Sequence, residues 1–247
     1  MYQNLKKTLK SFLPKKTLER NETLFRSIIS MFYIGNKYQC NICGFKLSKF
    51  VKTENCDKLC PKCGSVSRNR HLYTLLQNTL ENKSILHFSP SKSLKSEIQK
   101  MDTQTYITSD YLGEFQALKN LNIEAIDEPD NTYDVIICYH VLEHVKQDKK
   151  AMQELFRILK PNGICYIQTP FKEGDIYEDN SIITEKGRLE HFGQEDHLRF
   201  YSVSGLQSRL EEAGFKTQNL CFNEKADNYF GFLENETIII AKKDLKF

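Results

Sequence analysis

The chain has 247 residues, of which 35 are basic and 32 acidic, for a formal charge of +3. That length holds one α/β domain of ordinary size plus a small extra module. A charge so close to neutral argues against an obligatory polyanion partner. The asymmetry is local: in residues 1–20, Lys6, Lys7, Lys10, Lys15, Lys16 and Arg20 face a single acid, Glu19. No apolar run is long enough to span a bilayer, and the N-terminus lacks the apolar core and cleavage site of a secretory signal. Four of the eight cysteines fall in two C-x-x-C pairs and others in apolar runs, which suits a reducing cytosol better than a disulfide framework. A soluble cytoplasmic protein is expected.

Residues 2–13 place Tyr2, Leu5, Leu9, Phe12 and Leu13 near one helical face with Lys6, Lys7 and Lys10 beside it, and Pro14 ends the pattern. A helix of this kind docks on its own protein or makes peripheral contact with an anionic membrane. Leu24, Ile28, Ile29 and Phe32 predict a second helix, stopped by Gly35. These 37 residues form the expected N-terminal segment.

Residues 38–66 are short-turned and cysteine-rich. Sixteen residues separate Cys40-x2-Cys43 from Cys60-x2-Cys63, and Gly44 and Gly64 directly follow the pairs. Two residues between thiols let both sulfurs reach one ion while backbone N–H groups point at them. Four thiolates close a tetrahedron and leave no position for water, so one structural Zn2+ per chain is expected. Cys56 lacks the knuckle spacing to Cys60 and is left out. Arg68, Arg70 and His71 follow; they either grip a phosphate or carboxylate or form a solvated helix start.

Residues 67–247 form the expected main domain. "ILHFS" reads as a strand, "LKSEIQKM" as a helix and "TYITSDY" as a strand ending in Asp110. "YDVIICYH" is an apolar strand ending at Tyr139 and His140. "DKKAMQELFRIL" is a helix with Met152, Leu155, Phe156 and Leu159 on one face. "ICYIQTP", "FKTQNLCF" and "TIIIAKK" are further strands, and Ser204 with Gln207 suggests a capping box for a helix that Gly214 closes. Alternating elements with near-continuous apolar strands imply a doubly wound, mostly parallel α/β sheet. Ligands of such sheets bind beyond the C-terminal strand ends, where the strand order reverses. An acid there, such as Asp110, accepts both hydroxyls of a ribose.

The block "IEAIDEPDNTYDVIICYHVLEHVKQDKKAMQELFRILKPNGICYIQTP" resembles the central region of class I S-adenosylmethionine-dependent methyltransferases of the Methyltransf_11-like kind. "RLEHFGQEDHLRFYSVSGLQSRLEEAGF" resembles a subgroup that also carries an N-terminal zinc ribbon and an "HFSP"-like first loop. The resemblance covers residues 38–242 and implies a seven-stranded Rossmann-like sheet with S-adenosylmethionine as cofactor. It implies that Asp110, with Tyr111 beside it, holds the ribose, that Asn122 and Ile123 recognise adenine, and that Tyr139 and His140 lie near the methionine moiety. Asn122 stands where the family usually has Asp, and its amide oxygen still accepts a hydrogen bond. The usual glycine-rich opening is replaced by His87-Phe88-Ser89-Pro90-Ser91. Serine is the next smallest choice, so a modified but competent loop is expected, with His87, Phe88 and Ser89 lining the methionine end.

Methyl transfer from a sulfonium needs mainly positioning, and a hydroxyl acceptor gains from a general base. "HFGQEDHLRFY" supplies candidates. His197 is the expected base, with Asp196 or Glu195 orienting it. Glu195, Arg199 and Tyr201 are candidate acceptor-binding residues, Arg199 for an acidic group. The favoured reading is a methyltransferase acting on a small molecule, glycan or sugar nucleotide. Two alternatives stand beside it: an RNA methyltransferase gripping nucleic acid through the ribbon, and a zinc-dependent binding protein with a degenerate cofactor domain. The absence of a basic-aromatic stripe weighs against RNA.

Overall fold

The computed structural model describes residues 17, 21–53, 57–113, 116–222 and 228–244. The amphipathic segment expected over residues 2–13 lies outside them, as does Cys56. No helix among the described residues is long and apolar enough to cross a membrane. The chain divides into two compact units. One takes Met1–Thr79, Ser91–Lys100 and Phe222–Glu236; the other takes Leu80–Pro90, Met101–Cys221 and Thr237–Phe247. Residues 67–79, 91–100 and 222–236, expected in the main domain, therefore group with the cysteine segment.

In the first unit, helix α1 (Glu22–Ser30) tightens into a 3-10 turn (Met31–Tyr33) and runs into β1 (Ile34–Gln39). β1 pairs antiparallel with β2 (Lys46–Leu47), and β3 (Val51–Lys52) pairs antiparallel with β4 (Lys58–Leu59). Helix α2 (Ser67–Leu76) follows. The inward stripe of α1 is offset from the one read in the sequence. Ile29 and Tyr33 are buried against Val51, whereas Leu24, Ile28 and Phe32 are exposed. Tyr33 is the residue that inserts, and one turn earlier that selects Ile29 rather than Ile28.

The second unit is built on a sheet whose strands are β5 (Ser84–Phe88), β6 (Thr105–Ser109), β7 (Tyr133–Tyr139), β8 (Leu159–Gln168), β11 (Lys216–Phe222) and β12 (Glu236–Lys242). Their order is β11-β12-β8-β7-β5-β6. β5, β6, β7 and β8 run parallel and β12 pairs antiparallel with β8. Between β5 and β6 the chain forms α3 (Lys92–Ile98), which belongs to the first unit. All five residues of β5 are buried, as a strand covered on both faces requires.

This sheet has six strands among the described residues, where the resemblance implied seven. The missing place is marked by an isolated parallel bridge between Ser109 and Lys119. There Leu118 and Lys119 donate N–H bonds to the Thr108 carbonyl and Asp110 donates to the Lys119 carbonyl. Leu121, Ile123 and Ile126 still bury into the core. An Asx turn, with Glu124 N–H on Asn122 Oδ1 at 3.0 Å, bends the chain before a ladder can extend.

Helix α4 (Asp148–Ile158) fully buries Met152 and Leu155, with Phe156 packed beside them, as its period requires. Each such side chain contributes about 1.5–3 kcal/mol on leaving water. The short strands β9 (Tyr177–Glu178) and β10 (Arg199–Phe200) pair antiparallel on either side of α5 (Glu185–Phe192). α6 (Val203–Glu212) is capped by Ser202, whose Oγ accepts the Gly205 N–H at 3.1 Å, so the expected cap at Ser204 sits two residues too late. Gly214 follows in the left-handed conformation.

Candidate functional site

The four parallel strands end at Phe88, Ser109, Tyr139 and Gln168. β6 and β7 flank β5 on opposite sides, so the strand order reverses there. A cavity of about 360 Å³ opens at these ends, within the range of about 300–1,000 Å³ for small-molecule sites. Phe88, Ser89, Asp110, Tyr111, Asn122, Ile123 and His140 all line it.

The glycine-poor loop has a structural answer. Ser89 adopts φ 45°, a left-handed conformation that usually falls to glycine. Its N–H donates to the Ser109 carbonyl at 2.7 Å and its Oγ to Asp110 Oδ1 at 2.9 Å. The loop thus reaches the conformation without glycine and uses the hydroxyl to orient the acid. His140, at φ 53°, is a second non-glycine residue in this conformation. Such residues gather where surrounding structure enforces strain, often at functional sites. Asn122 Oδ1 accepts Glu124 N–H, and an amide oxygen has a second lone pair for another donor.

His87 and Tyr139 are not among the cavity-lining residues. His87 is buried, bonded through Nδ1 to Tyr106 Oη at 2.9 Å, and burial lowers its pKa to about 3. It is a neutral core histidine.

The 3-10 turn Leu142–His144 follows His140. Leu198 N–H donates to the Glu143 carbonyl at 2.9 Å and so draws His197 to this turn. His144 Nδ1 pairs with Asp196 at 3.0 Å, and the His144 and His197 rings meet edge to face at 4.7 Å. His144, Asp196, Val145 and Lys146 line the cavity, whereas Glu195, His197, Arg199 and Tyr201 do not. Asp196 therefore orients His144 and not His197, the partner expected for it. Burial, then the His144 imidazole, lowers the His197 pKa. Burial alone would raise the Glu143 carboxyl, but the His140 imidazole 3.2 Å away holds it below the usual range. In "LEHVK", Glu143 and Lys146 had no role assigned from sequence, and His144 stood with His140 only as a fallback to His197 for the base. Two ligand-type residues side by side directly after a strand end were the signal available.

Arg199 and Tyr201 are committed to a buried network. Arg199 Nε pairs with Glu178 at 2.8 Å, and its other nitrogens donate to the carbonyls of Leu142, Val145 and Lys146. Tyr201 Oη donates to Asp148, which also pairs with Arg209. These residues hold the 142–146 turn in place. Glu195 is exposed.

In the first unit, the two cysteine knuckles are near copies. Gly44 and Gly64 N–H donate back to the Cys40 and Cys60 carbonyls at 2.8 and 3.0 Å, and both glycines have positive φ. The four Sγ atoms lie within 4.8 Å of one another, with Cys40–Cys63 at 3.7 Å and Cys43–Cys60 at 3.8 Å. A tetrahedron of Zn–S bonds of about 2.3 Å has edges of about 3.8 Å. The donor set fits such an ion. Arg70 is fully buried and donates to the carbonyls of Lys58, Ser65, Phe230 and Gly231. It pins this unit internally rather than gripping a phosphate. His71 is likewise buried, 3.9 Å from Glu236, while Arg68 approaches Asp57 at 4.0 Å.

A family model described as a methyltransferase domain (Methyltransf_23) matches residues 70–220. A protein of Mycolicibacterium smegmatis named a probable S-adenosylmethionine-dependent methyltransferase is 29% identical over 105 residues, 41% of this chain and 36% of that protein. A ubiquinone biosynthesis O-methyltransferase of Psychrobacter arcticus is 28% identical over 89 residues, 36% of this chain and 35% of the other. A tRNA U34 carboxymethyltransferase of Campylobacter fetus is 29% identical over 169 residues, 65% of this chain and 55% of the other. The chain thus spans between 35% and 55% of the length of these relatives. A solved structure of a SAM-dependent methyltransferase from Archaeoglobus fulgidus superposes with a TM-score of 0.52 at 15% identity, covering 71% of this chain and 93% of that one, which shows a shared fold.

Proposed function

The chain belongs to the methyltransferase-domain family, and on that premise we propose that it transfers a methyl group from S-adenosylmethionine to a small-molecule acceptor. The observation that carries this reading is the Ser89–Asp110 hydrogen bond in the lining of the switch-point cavity. It presents a carboxylate where a ribose would sit, with Asn122 and Ile123 in the same lining for adenine. His140, His144 and Asp196 also line the cavity, and we assign them to the methionine end and the acceptor. The donor supplies an already activated methyl group, so these residues need only position the acceptor and exclude water.

The acceptor class includes glycans and sugar nucleotides, and its support is the size of the cavity together with the small-molecule relative. We also assign one structural zinc to Cys40, Cys43, Cys60 and Cys63, supported by the tetrahedral sulfur spacing. Calorimetric titration of the purified chain with S-adenosylmethionine is the direct test. Saturable one-site binding is expected, and no heat at millimolar cofactor would leave the reading as a degenerate cofactor domain standing.

The tRNA-modifying relative, which covers the larger share of this chain, favours RNA as a second acceptor reading. Steeply salt-dependent retention of RNA would support it, whereas salt-independent or absent retention returns the assignment to small molecules.

A further inference from the structure

Three of the six histidines, His140, His144 and His197, gather around Glu143 after β7. Glu143 is 1% exposed and His197 2%. His140 Nδ1 lies 3.2 Å from Glu143 Oε1, whereas Glu143 Oε2 and His197 Nδ1 have no hydrogen-bond partner. Buried polar atoms of ligand type that lack a partner are costly, so Glu143 Oε2 and His197 Nδ1 in this position point to a cationic ligand. One ligand atom each from Glu143, His144 and His197 lies within 4.8 Å of the other two.

The second layer around these atoms is also what a metal site requires. Asp196 holds His144 Nδ1, which leaves Nε2 as the ring's lone pair. The Phe192 backbone carbonyl hydrogen-bonds the His197 ring while Nδ1 stays bare. A ligating histidine usually donates its other N–H to a carboxylate or a backbone carbonyl, and both forms occur here.

We propose that Glu143, His144 and His197 bind a divalent transition-metal ion beside the cavity, separate from the four cysteines. Two imidazoles and one carboxylate suit first-row transition metals better than magnesium or calcium. Three protein ligands leave coordination positions open, as catalytic sites do. His144 lines the cavity, so those positions are within reach of an acceptor there. This deepens the methyltransferase reading and rests on it for its role: the ion would favour a hydroxyl acceptor by making it more acidic. The hydroxyl proton leaves to solvent and an oxygen lone pair forms the O–CH3 bond. The S–CH3 pair stays on sulfur, and the sulfonium becomes a thioether.

The test is cobalt loading of the full, metal-stripped chain, with no cofactor or acceptor present. Two cobalt ions per chain are expected by elemental analysis. One should give the intense thiolate charge-transfer bands of a four-sulfur site and the other weak d–d bands without them. His144→Ala and Glu143→Gln should each lose the second ion while the thiolate bands persist, which shows that the protein has folded. Asp196→Asn should weaken the second ion about 10- to 100-fold. One cobalt per chain with thiolate bands alone overturns the proposal, as does a second ion retained at full affinity in His144→Ala. Because metal is counted without methyl transfer, failure of the methyltransferase reading would leave this result legible.

Discussion

Ser89 Oγ donates a 2.9 Å hydrogen bond to Asp110 Oδ1, and that contact ties the end of β5 to the end of β6 in the cavity lining. It couples the unusual first loop to the residue assigned to the ribose. Asp110→Ala should weaken S-adenosylmethionine binding by about 1.5–3 kcal/mol, the range for a hydrogen bond to a charged group. Ser89→Ala removes only the orienting bond, and a loss of about 0.5–1.5 kcal/mol is expected. Calorimetry on the three proteins decides the matter; equal affinities would take Asp110 out of the site.

The cysteine cluster makes a folding prediction. Cys40→Ser with Cys63→Ser should remove one zinc per chain and expose residues 38–66 to amide exchange, because binding energy at such a site is folding energy. Elemental analysis that still finds the four-sulfur ion in the double variant would end the assignment.

Arg199 acts through the turn it holds. Its side chain is buried, and removing it takes the side-chain donor from the Val145 and Lys146 carbonyls. Arg199→Met should cost about 3 kcal/mol, near the lower end for breaking a buried pair, since Glu178 is partly solvated and retains Arg209. Denaturant unfolding measures this. An unchanged midpoint, with a raised KM for the acceptor instead, would return Arg199 to a substrate role.

His87 gives the second unit an acid sensitivity. Burial lowers its pKa from 6.5 to about 3, so the folded chain keeps it neutral while the unfolded chain protonates it. The unfolded state therefore binds more protons between those values. The contribution is fully present above pH 6.5 and is lost as pH falls towards about 3, with a slope of about 1.4 kcal/mol per pH unit from this one group. The pair variant His87→Leu, Tyr106→Phe removes both the titrating ring and its partner. Urea midpoints measured from pH 7 downwards should flatten by one proton in that variant; parallel profiles would contradict the assignment.

Local patterns carried much of the fold. The apolar runs at 84–88, 133–139 and 164–168 and the period of α4 dictate buried strands and a helix wherever they occur, because burial of those side chains dominates the local energetics. The two C-x-x-C-Gly units were equally legible, since ligand spacing and the positive-φ glycine act within a few residues. Asp110 could be placed because a strand end lies next to its own strand in the chain. The irregular stretch at 118–126 was harder. Its apolar residues bury as expected, but the Asn122 turn prevents a seventh strand, and a side-chain bond to a backbone N–H leaves no mark on hydropathy.

The grouping of His144 with Asp196 in the cavity lining was decided by tertiary structure. "HFGQEDHLRFY" offered His197, Arg199 and Tyr201 as equals, and nothing in the order of residues distinguishes a buried clamp from a cavity lining. The Leu198–Glu143 backbone bond sets the choice. It brings residues 52 or more positions apart in the chain into one cluster, turning Arg199 onto the carbonyls of the 142–146 turn and Asp196 onto His144. Sequence by itself determined which chemistry-bearing side chains exist and which strands carry them. Only the folded chain determined which of them share a site, because that depends on the register between segments distant in sequence.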